Sequence, residues 1–205
     1  MATAALALYG IFILSGFGWR SYRQWRRTGS TGMRGFRGRP GSSEWLAGAG
    51  FVLALLIGAV APILQSTGVL APIATLDHPV VGVVGATAAV VGIAATLWAQ
   101  ESMGDSWRIG VDAGETTQLV DDGMFGWVRN PIFTAMLVFG AGVALMAPNM
   151  LSLFGFALLL MSIEMQVRVV EEPYLRRAHG GRYRDYAGRV GRFVPRIGRQ
   201  HRIPS

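Results

Sequence analysis

The 205-residue chain contains no cysteine, and all 19 of its basic residues are arginine. The absence of cysteine excludes disulfide bonds, thiolate metal sites and cysteine nucleophiles. The absence of lysine excludes Schiff-base catalysis and the lysine of a phosphate-binding loop. The three histidines, His78, His179 and His201, are too scattered along the chain to suggest a metal centre. The sequence therefore predicts neither cysteine- nor lysine-based catalysis, and no histidine metal centre.

Charged residues are scarce, at 15% of the chain, whereas 51% of the residues are hydrophobic. The apolar residues form long blocks, at 2–19, 45–64, 79–99, 132–147 and 150–167. At ~1.5 Å per residue, most of these blocks can cross a hydrocarbon layer of ~30 Å, and the fourth is the shortest. Pro148-Asn149 predicts a tight turn between the last two. The predicted fold is all-α: a polytopic membrane protein with five transmembrane helices.

Arginine placement predicts how these helices cross the membrane. Seven arginines lie in the range 20–39, none lies between Pro40 and Arg108, and ten lie from Arg168 onward. By the positive-inside rule, the first connection and the C-terminal tail are cytosolic and the N-terminus is outside. No positive charge precedes the first block, which favours an uncleaved anchor over a signal peptide. The predicted location is the cell membrane.

The arginine-rich segment 20–41 is predicted to be a cytosolic loop that sets orientation and touches anionic lipid headgroups. The net charge of +7 raises the question of nucleic-acid binding. These arginines flank apolar spans instead of alternating with exposed aromatic residues, so nucleic acid is not a predicted partner.

The sequence predicts two regions: three N-terminal transmembrane helices over 1–99, and a region over 100–205 that carries the polar motifs. A soluble nucleotide-binding fold is not predicted, because no strand–helix unit opens with Gly-x-Gly-x-x-Gly.

A short polar motif, Arg129-Asn130-Pro131, precedes the fourth apolar block. Proline is tolerated in the first turn of a helix, so Pro131 is predicted to open the fourth helix and Asn130 to cap it. Arg129 would then extend towards the membrane surface. The alternative is functional: the helix N-terminus, Arg129 and nearby backbone amides would bind a carboxylate or phosphate.

A second motif, Glu171-Glu172, follows the fifth block. Glu164, Arg168 and Glu172 are spaced four apart, which places them on one helical face. One interpretation is a salt-bridged helix that leaves the membrane. The other is a site in which a carboxylate faces a cationic ligand and an arginine faces an anionic one.

Aromatic and basic residues fill the C-terminal tail. Tyr183 and Tyr186 are three residues apart and are predicted to pack at the membrane interface. The tail arginines are interpreted as lipid-facing charge: Arg189, Arg192, Arg196, Arg199 and Arg202.

Taken in order, these motifs resemble the isoprenylcysteine carboxyl methyltransferase and phospholipid methyltransferase family of integral membrane enzymes. The resemblance covers 119–133 and 171–186, on either side of the hydrophobic hairpin 131–168, and extends to 104–108. Three positions depart from the family pattern: Asn130 replaces a histidine, Phe133 replaces a tyrosine, and Val167 stands where the prenylcysteine enzymes have an arginine.

The resemblance implies that S-adenosylmethionine is the cofactor and S-adenosylhomocysteine the product. Short cytosolic helices would close the cofactor pocket, which would face the cytosol. The implied cofactor contacts are Thr117, Gln118, Leu119, Val120, Phe125, Asn130, Pro131, Ile132, Phe133 and Glu171.

The acceptor implied is lipophilic, either isoprenoid or lipid-like, and it would reach the site from among the membrane lipids. If the methylated group is a carboxylate, Arg168 or Arg129 is predicted to orient it. If it is a hydroxyl or an amine, Glu172 is the candidate base. Two alternatives remain: a membrane reductase of the sterol type that uses NADPH, and a non-catalytic protein with the same fold. The small-residue faces of the spans suit packing inside the bundle or against another copy, so the oligomeric state stays open.

Overall fold

The computed structural model describes residues 1–31, 38–104 and 119–200, and within these ranges it is all-α. The long helices are α1 (Ala2–Thr28), α2 (Ser43–Ser66), α3 (Pro79–Ser102), α4 (Pro131–Met146), α5 (Met150–Met165) and α6 (Glu172–Arg189). A π-helical segment, Gln166–Glu171, joins α5 directly to α6, and α6 is kinked at Gly180, where φ is 53° and ψ is -121°. Among the described residues, the one isolated β-bridge joins Val128 to Gly191.

Four helical stretches are long and apolar enough to cross a membrane: α1, α2, α3 and Met150–Arg189, which contains α5 and α6. α4 is apolar but has only 16 residues. Each predicted apolar block therefore corresponds to a helix, and most block ends agree with helix ends within a few residues. The exceptions are α1, which continues past its block to Thr28, and α5, after which the chain stays helical into α6. The all-α membrane class is confirmed, while the count of five crossings and their orientation stay predictions.

The first helix extends further than the sequence suggested. The predicted span ends at Trp19, but the chain stays helical through a π-helical segment, Ile13–Trp19, and on to Thr28. Arg20 is 2% exposed and donates to the carbonyl oxygens of Gly104, at 2.6 Å, and Gln100, at 3.4 Å. The structure thus differs from the predicted loop over 20–28, because a buried arginine serves the carbonyl end of α3. The predicted loop residues 32–37 lie outside the described ranges.

Two antiparallel helix pairs, α3 with α4 and α2 with α5, form most of the bundle. Glycine allows the backbones of α3 and α4 to approach closely. A Cβ on Gly142 would lie 2.5 Å from the Ala89 nitrogen, and one on Gly92 would lie 2.6 Å from the Phe139 nitrogen. Close backbone approach over small residues is a common way to hold helices together in lipid, where water supplies no hydrophobic driving force.

α1 packs across both pairs through aromatic residues. The rings of Phe12 and Phe139 are stacked, with centroids 4.0 Å apart. The Tyr9 hydroxyl donates to the Leu55 carbonyl oxygen of α2 at 2.5 Å. One α1 face therefore contacts α2 and α4 together, which fixes the N-terminal helix against the rest.

The predicted turn at Pro148-Asn149 is confirmed. The Asn149 side chain accepts a hydrogen bond from the Ser152 backbone nitrogen at 2.9 Å and so caps α5. Its amide nitrogen also donates to Gln65, in the last turn of α2, at 2.8 Å. The opposite end of the bundle collects the ends of α1, α3 and α5 and the starts of α2 and α4. The polar motifs lie at this end, which we call the motif end.

Candidate functional site

The C-terminal segment 190–200 is hydrogen-bonded to the chain just before α4. The backbone nitrogen of Arg129 donates to the Gly191 carbonyl at 2.8 Å, and that of Asn130 donates to the Arg192 carbonyl at 3.1 Å. The Asn130 side-chain amide also donates to the Arg192 carbonyl, at 3.1 Å. Two segments about sixty residues apart in sequence thus meet through main-chain bonds, and they bring both polar motifs to one place.

Glu172 is the centre of this junction. Its Oε1 accepts from Arg129 Nη2 at 2.8 Å and from Arg192 Nε at 2.7 Å. Its Oε2 accepts from Arg192 Nη2 at 3.1 Å and from Gln200 Nε2 at 2.9 Å. The side chains of Glu172 and Arg129 are only 5% and 2% exposed. The carboxylate is therefore buried and supplied with charged donors on both oxygens.

The electrostatics of Glu172 follow from this geometry. Burial alone would raise the pKa of the carboxyl, because it disfavours the charged form. Hydrogen bonds and positive charge from Arg192 and Arg129 outweigh burial and lower the pKa below its ordinary value. At neutral pH the carboxylate is therefore ionised and is a poor proton acceptor.

Arg129 also holds the backbone that follows α6. Its Nη1 donates to the carbonyls of Ala187 and Val190, at 3.0 and 2.6 Å, and its Nη2 donates to that of Gly198 at 3.2 Å. A planar guanidinium with several fixed donors suits such a cluster of carbonyls and one carboxylate. Arg129 is therefore enclosed by the tail and does not extend to the membrane surface.

Tyr183 and Tyr186 join the same junction from inside the protein. They are 1% and 3% exposed and pack against Leu119 and Ala187. The Tyr186 hydroxyl donates to the carbonyl of Phe125, in the 3₁₀ helix Gly123–Gly126, at 2.6 Å. Burial raises the pKa of Tyr183 to about 12 and raises that of Tyr186 as well. The structure thus differs from the prediction that these tyrosines pack at the membrane interface.

At the start of α4, Pro131 is buried and occupies the first turn, as predicted. Asn130 is the residue before the helix, but its side chain bonds to Arg192. In the part of the chain that the structure describes, it accepts no hydrogen bond from the first turn of α4. The predicted side-chain cap is therefore not formed. Ile132 and Phe133 are half-buried and pack against the main core.

The remaining candidates lie in or near the π-helical segment. Arg168 has a side chain that is 57% exposed and pairs with Glu164, outside the Glu172 network. Val167, at the position of the family's arginine, is fully buried. Glu171 is half-buried and directly precedes Glu172. Val120 is half-buried beside Leu119, whereas Thr117 and Gln118 lie outside the described residues.

Sequence reasoning missed Arg192 and Gln200 as members of this site. Arg192 had been grouped with lipid-facing charge, yet its side chain is only 13% exposed and bonds Glu172. The signal available was the spacing Arg192-x-x-Pro195, which sets this arginine apart from the other tail arginines.

Comparison with known proteins gives one family. Residues 80–182 match the family model described as phospholipid methyltransferase. The chain belongs to this family. A curated relative, Protein-S-isoprenylcysteine O-methyltransferase B of Arabidopsis thaliana, is 31% identical over 81 residues. That match covers 40% of this chain and 41% of the relative, so less than half of the relative's length is spanned. No solved structure matches the chain.

The matched residues run from α3 to the middle of α6 and include Arg129, Asn130 and Glu172. Arg192 and Gln200 lie beyond the match, as do α1 and α2. The predicted resemblance is thus confirmed at the level of the family, and the junction with the tail is a property of this structure.

Proposed function

We propose that this protein is an S-adenosylmethionine-dependent methyltransferase that acts on a lipophilic acceptor at the membrane. The observation that carries the proposal is the meeting of both family motifs at Arg192. Its carbonyl accepts from Asn130, and its guanidinium bonds Glu172. A family site needs these two motifs together, although the hydrophobic hairpin 131–168 separates them in the sequence.

The residues near the start of α4 suit a cofactor with a carboxylate and a ribose. The N-terminus of a helix carries unpaired backbone donors and a partial positive charge, and both favour a carboxylate. Because the Asn130 side chain is directed to Arg192, it does not occupy those donors. We propose that the amides of Ile132 and Phe133 bind the cofactor carboxylate. Phe125 and Leu119 would provide apolar contact, and Glu171 would accept from a hydroxyl or amino group.

Arg129 and Glu172 take a positioning role in this proposal. They were candidates for catalytic contact with the acceptor, but each is buried against the other and against the tail. A carboxylate with a lowered pKa is a weak general base. We therefore assign to this pair the task of holding the tail over the start of α4. Arg168, which is exposed in the π-helical segment after α5, is the better candidate to orient an anionic acceptor.

S-adenosylmethionine supplies an electrophilic methyl group when it is bound. Holding an acceptor in line with that group would account for much of the rate enhancement, because orientation removes an entropic cost from the reaction. The apolar helices α3, α4 and α5 each have one end at the motif end, which suits an acceptor that is dissolved in the membrane. A carboxylate on that acceptor would bind near Arg168. Because it is already anionic, it would need no base to remove a proton before methyl transfer.

Ligand-induced stabilisation tests the cofactor assignment. We expect S-adenosylmethionine and S-adenosylhomocysteine to raise the melting temperature of the detergent-solubilised protein, since a ligand that binds the folded state stabilises it. Glu171→Ala should abolish most of that rise. Glu164→Gln, at a half-buried position seven residues away in sequence, should preserve it. A rise with NADPH and none with either methyl-cofactor species would instead support a reductase.

Transfer of a labelled methyl group tests the acceptor class. Two probes separate the choices: an S-isoprenylated cysteine analogue with a free carboxylate, and phosphatidylethanolamine with its free amine. Label in the first, released by alkali as an ester would be, supports carboxyl methylation, and Arg168→Gln should then raise the acceptor KM more than it lowers kcat. Cofactor binding without transfer to either probe would contradict both acceptor classes.

A further inference from the structure

The helical extension of α1 beyond the predicted span has its polar and aromatic faces reversed relative to a helix in water. Arg20, Ser21 and Gln24 are buried against the bundle, at 2%, 8% and 4% exposure. Trp19 and Trp25 project outward, at 58% and 51% exposure. An exposed aromatic face is unfavourable in water, but tryptophan and tyrosine are enriched where a membrane meets water.

Tyr22 lies between the two tryptophans and completes a continuous aromatic row. Its ring centroid is 5.7 Å from that of Trp19 and 6.3 Å from that of Trp25. Arg26 Nη1 lies 3.3 Å from the Tyr22 hydroxyl oxygen, and Arg26 and Arg27 are both exposed in the last turn. The outward face thus carries aromatic rings first and positive charge one turn later.

Other tryptophans lie at the same end of the bundle. Trp45 lies in the first turn of α2, Trp98 is near the end of α3, and Trp127 precedes α4, and all three are exposed. All five tryptophans in the described residues are therefore exposed at the motif end. The reversed face of α1 is part of a wider aromatic belt, which marks the depth of a lipid headgroup layer.

We propose that the outward face of Arg20–Thr28 is a binding site for the headgroup of an anionic phospholipid in the surrounding bilayer. Trp19, Tyr22 and Trp25 would lie between the acyl chains and the headgroups. Arg26 and Arg27 would bind the headgroup phosphate, because arginine binds phosphate oxygens through paired donors. Neither the family match, which begins at residue 80, nor the proposed methyl transfer requires this site.

The test measures lipid binding by the full chain in neutral detergent. Phosphatidylglycerol should raise the melting temperature more than phosphatidylcholine does, and the dose dependence gives an apparent dissociation constant. The double variant Arg26→Gln/Arg27→Gln should bind phosphatidylglycerol about thirty-fold more weakly, which corresponds to about 1 kcal/mol for each arginine at an anionic surface. Its melting temperature in detergent alone should stay close to that of the wild type, since hydrogen bonds and ion pairs at exposed side chains contribute little to stability.

A matched control separates a site from net charge. Arg177→Gln/Arg184→Gln removes the same charge from exposed positions on α6 and should leave phosphatidylglycerol binding within about twofold of the wild type. Equal losses in both double variants, or none in the first, would overturn the proposal. Stabilisation by inorganic phosphate that equals that by phosphatidylglycerol would overturn it too, because the aromatic row would then play no part.

The depth of the aromatic row in the bilayer can be measured separately, by fluorescence quenching. Lipids brominated near the carbonyl end of the acyl chain should quench tryptophan fluorescence more than lipids brominated mid-chain. Trp19→Phe/Trp25→Phe should reduce the quenching by the carbonyl-end lipid. Stronger quenching from mid-chain bromine would place the rings too deep for headgroup binding and refute the site.

Discussion

Glu172 and Glu164 each pair with an arginine, but their surroundings differ. The side chains of Glu172 and Arg129 are 5% and 2% exposed, whereas those of Glu164 and Arg168 are 34% and 57% exposed. An exposed ion pair contributes little to stability because water screens it. Breaking a buried pair is costly because it leaves an uncompensated charge. The ion pair of Glu172 should therefore contribute more to the stability of the protein than the ion pair of Glu164.

Replacing Glu172 with glutamine should destabilise the protein by about 3 kcal/mol or more, the usual cost of breaking a buried pair. The amide keeps the shape of the side chain but leaves Arg129 and Arg192 without their anionic partner. The measurement is the free energy of unfolding in mixed micelles. Glu164→Gln is the control and should change this quantity by less than about 1 kcal/mol. Similar small losses in both variants would show that the junction adds little to stability.

The lowered pKa of Glu172 predicts how this contribution depends on pH. A carboxyl whose folded-state pKa is lowered stabilises the protein above its unfolded value, and this stability is lost as pH falls through the folded value. The pKa of this carboxyl in the unfolded chain is close to its ordinary value of 4.5. The stability difference between wild type and Glu172→Gln should therefore stay constant from about pH 7 to 5 and narrow below about pH 4.5. A difference that instead widened on acidification would contradict the shift.

At the scale of the helices, the close contact of α3 with α4 depends on glycine. Gly142→Ala would place a methyl group 2.5 Å from the Ala89 nitrogen, and backbone cannot move aside as a flexible side chain can. We expect a loss of about 1 to 3 kcal/mol in the free energy of unfolding, which is typical of overpacking. Gly10→Ala is the control, because nothing lies within 4 Å of the added group. That change should be neutral or stabilising, since alanine favours the helix. Equal effects at both positions would rule out the contact as the cause.

The sequence predicted the helices that consist of long apolar blocks, and it missed the helical parts that are polar. Pro131 opens α4 as predicted, because proline is tolerated in a first turn, and α3 begins at 79, the predicted start of its apolar block. The extension Arg20–Thr28 was missed because hydropathy assigns arginine to a loop, whereas Arg20 is buried by its bonds to α3. Arg192 was missed as a partner of Glu172 for a related reason: the two are twenty residues apart, and the spacing Arg192-x-x-Pro195 does not show that the tail folds back onto Glu172.

For the whole molecule, the central question is whether α4 crosses the membrane. Its 16 residues span about 24 Å, which is less than the ~30 Å hydrocarbon layer. Yet the turn after α4 lies level with the end of α2. Asn149 bonds Gln65, and the Pro148 carbonyl accepts from the Ile73 nitrogen at 2.7 Å. Because α2 has 24 residues and is apolar enough to span, α4 should reach the far side beside it.

Reporter fusions test this topology directly. With the N-terminus outside and five crossings, alkaline phosphatase fused after Gly68 should be active, since that position is outside. A green fluorescent protein fused after Ser205 should fluoresce, since the arginine-rich tail is cytosolic. If α4 did not cross, the tail would be outside while position 68 stayed outside. If the whole bundle were inverted, position 68 would be cytosolic and the tail outside. The two fusions together therefore distinguish the crossing of α4 from the orientation of the bundle, because only the tail reporter responds to α4 while both respond to inversion.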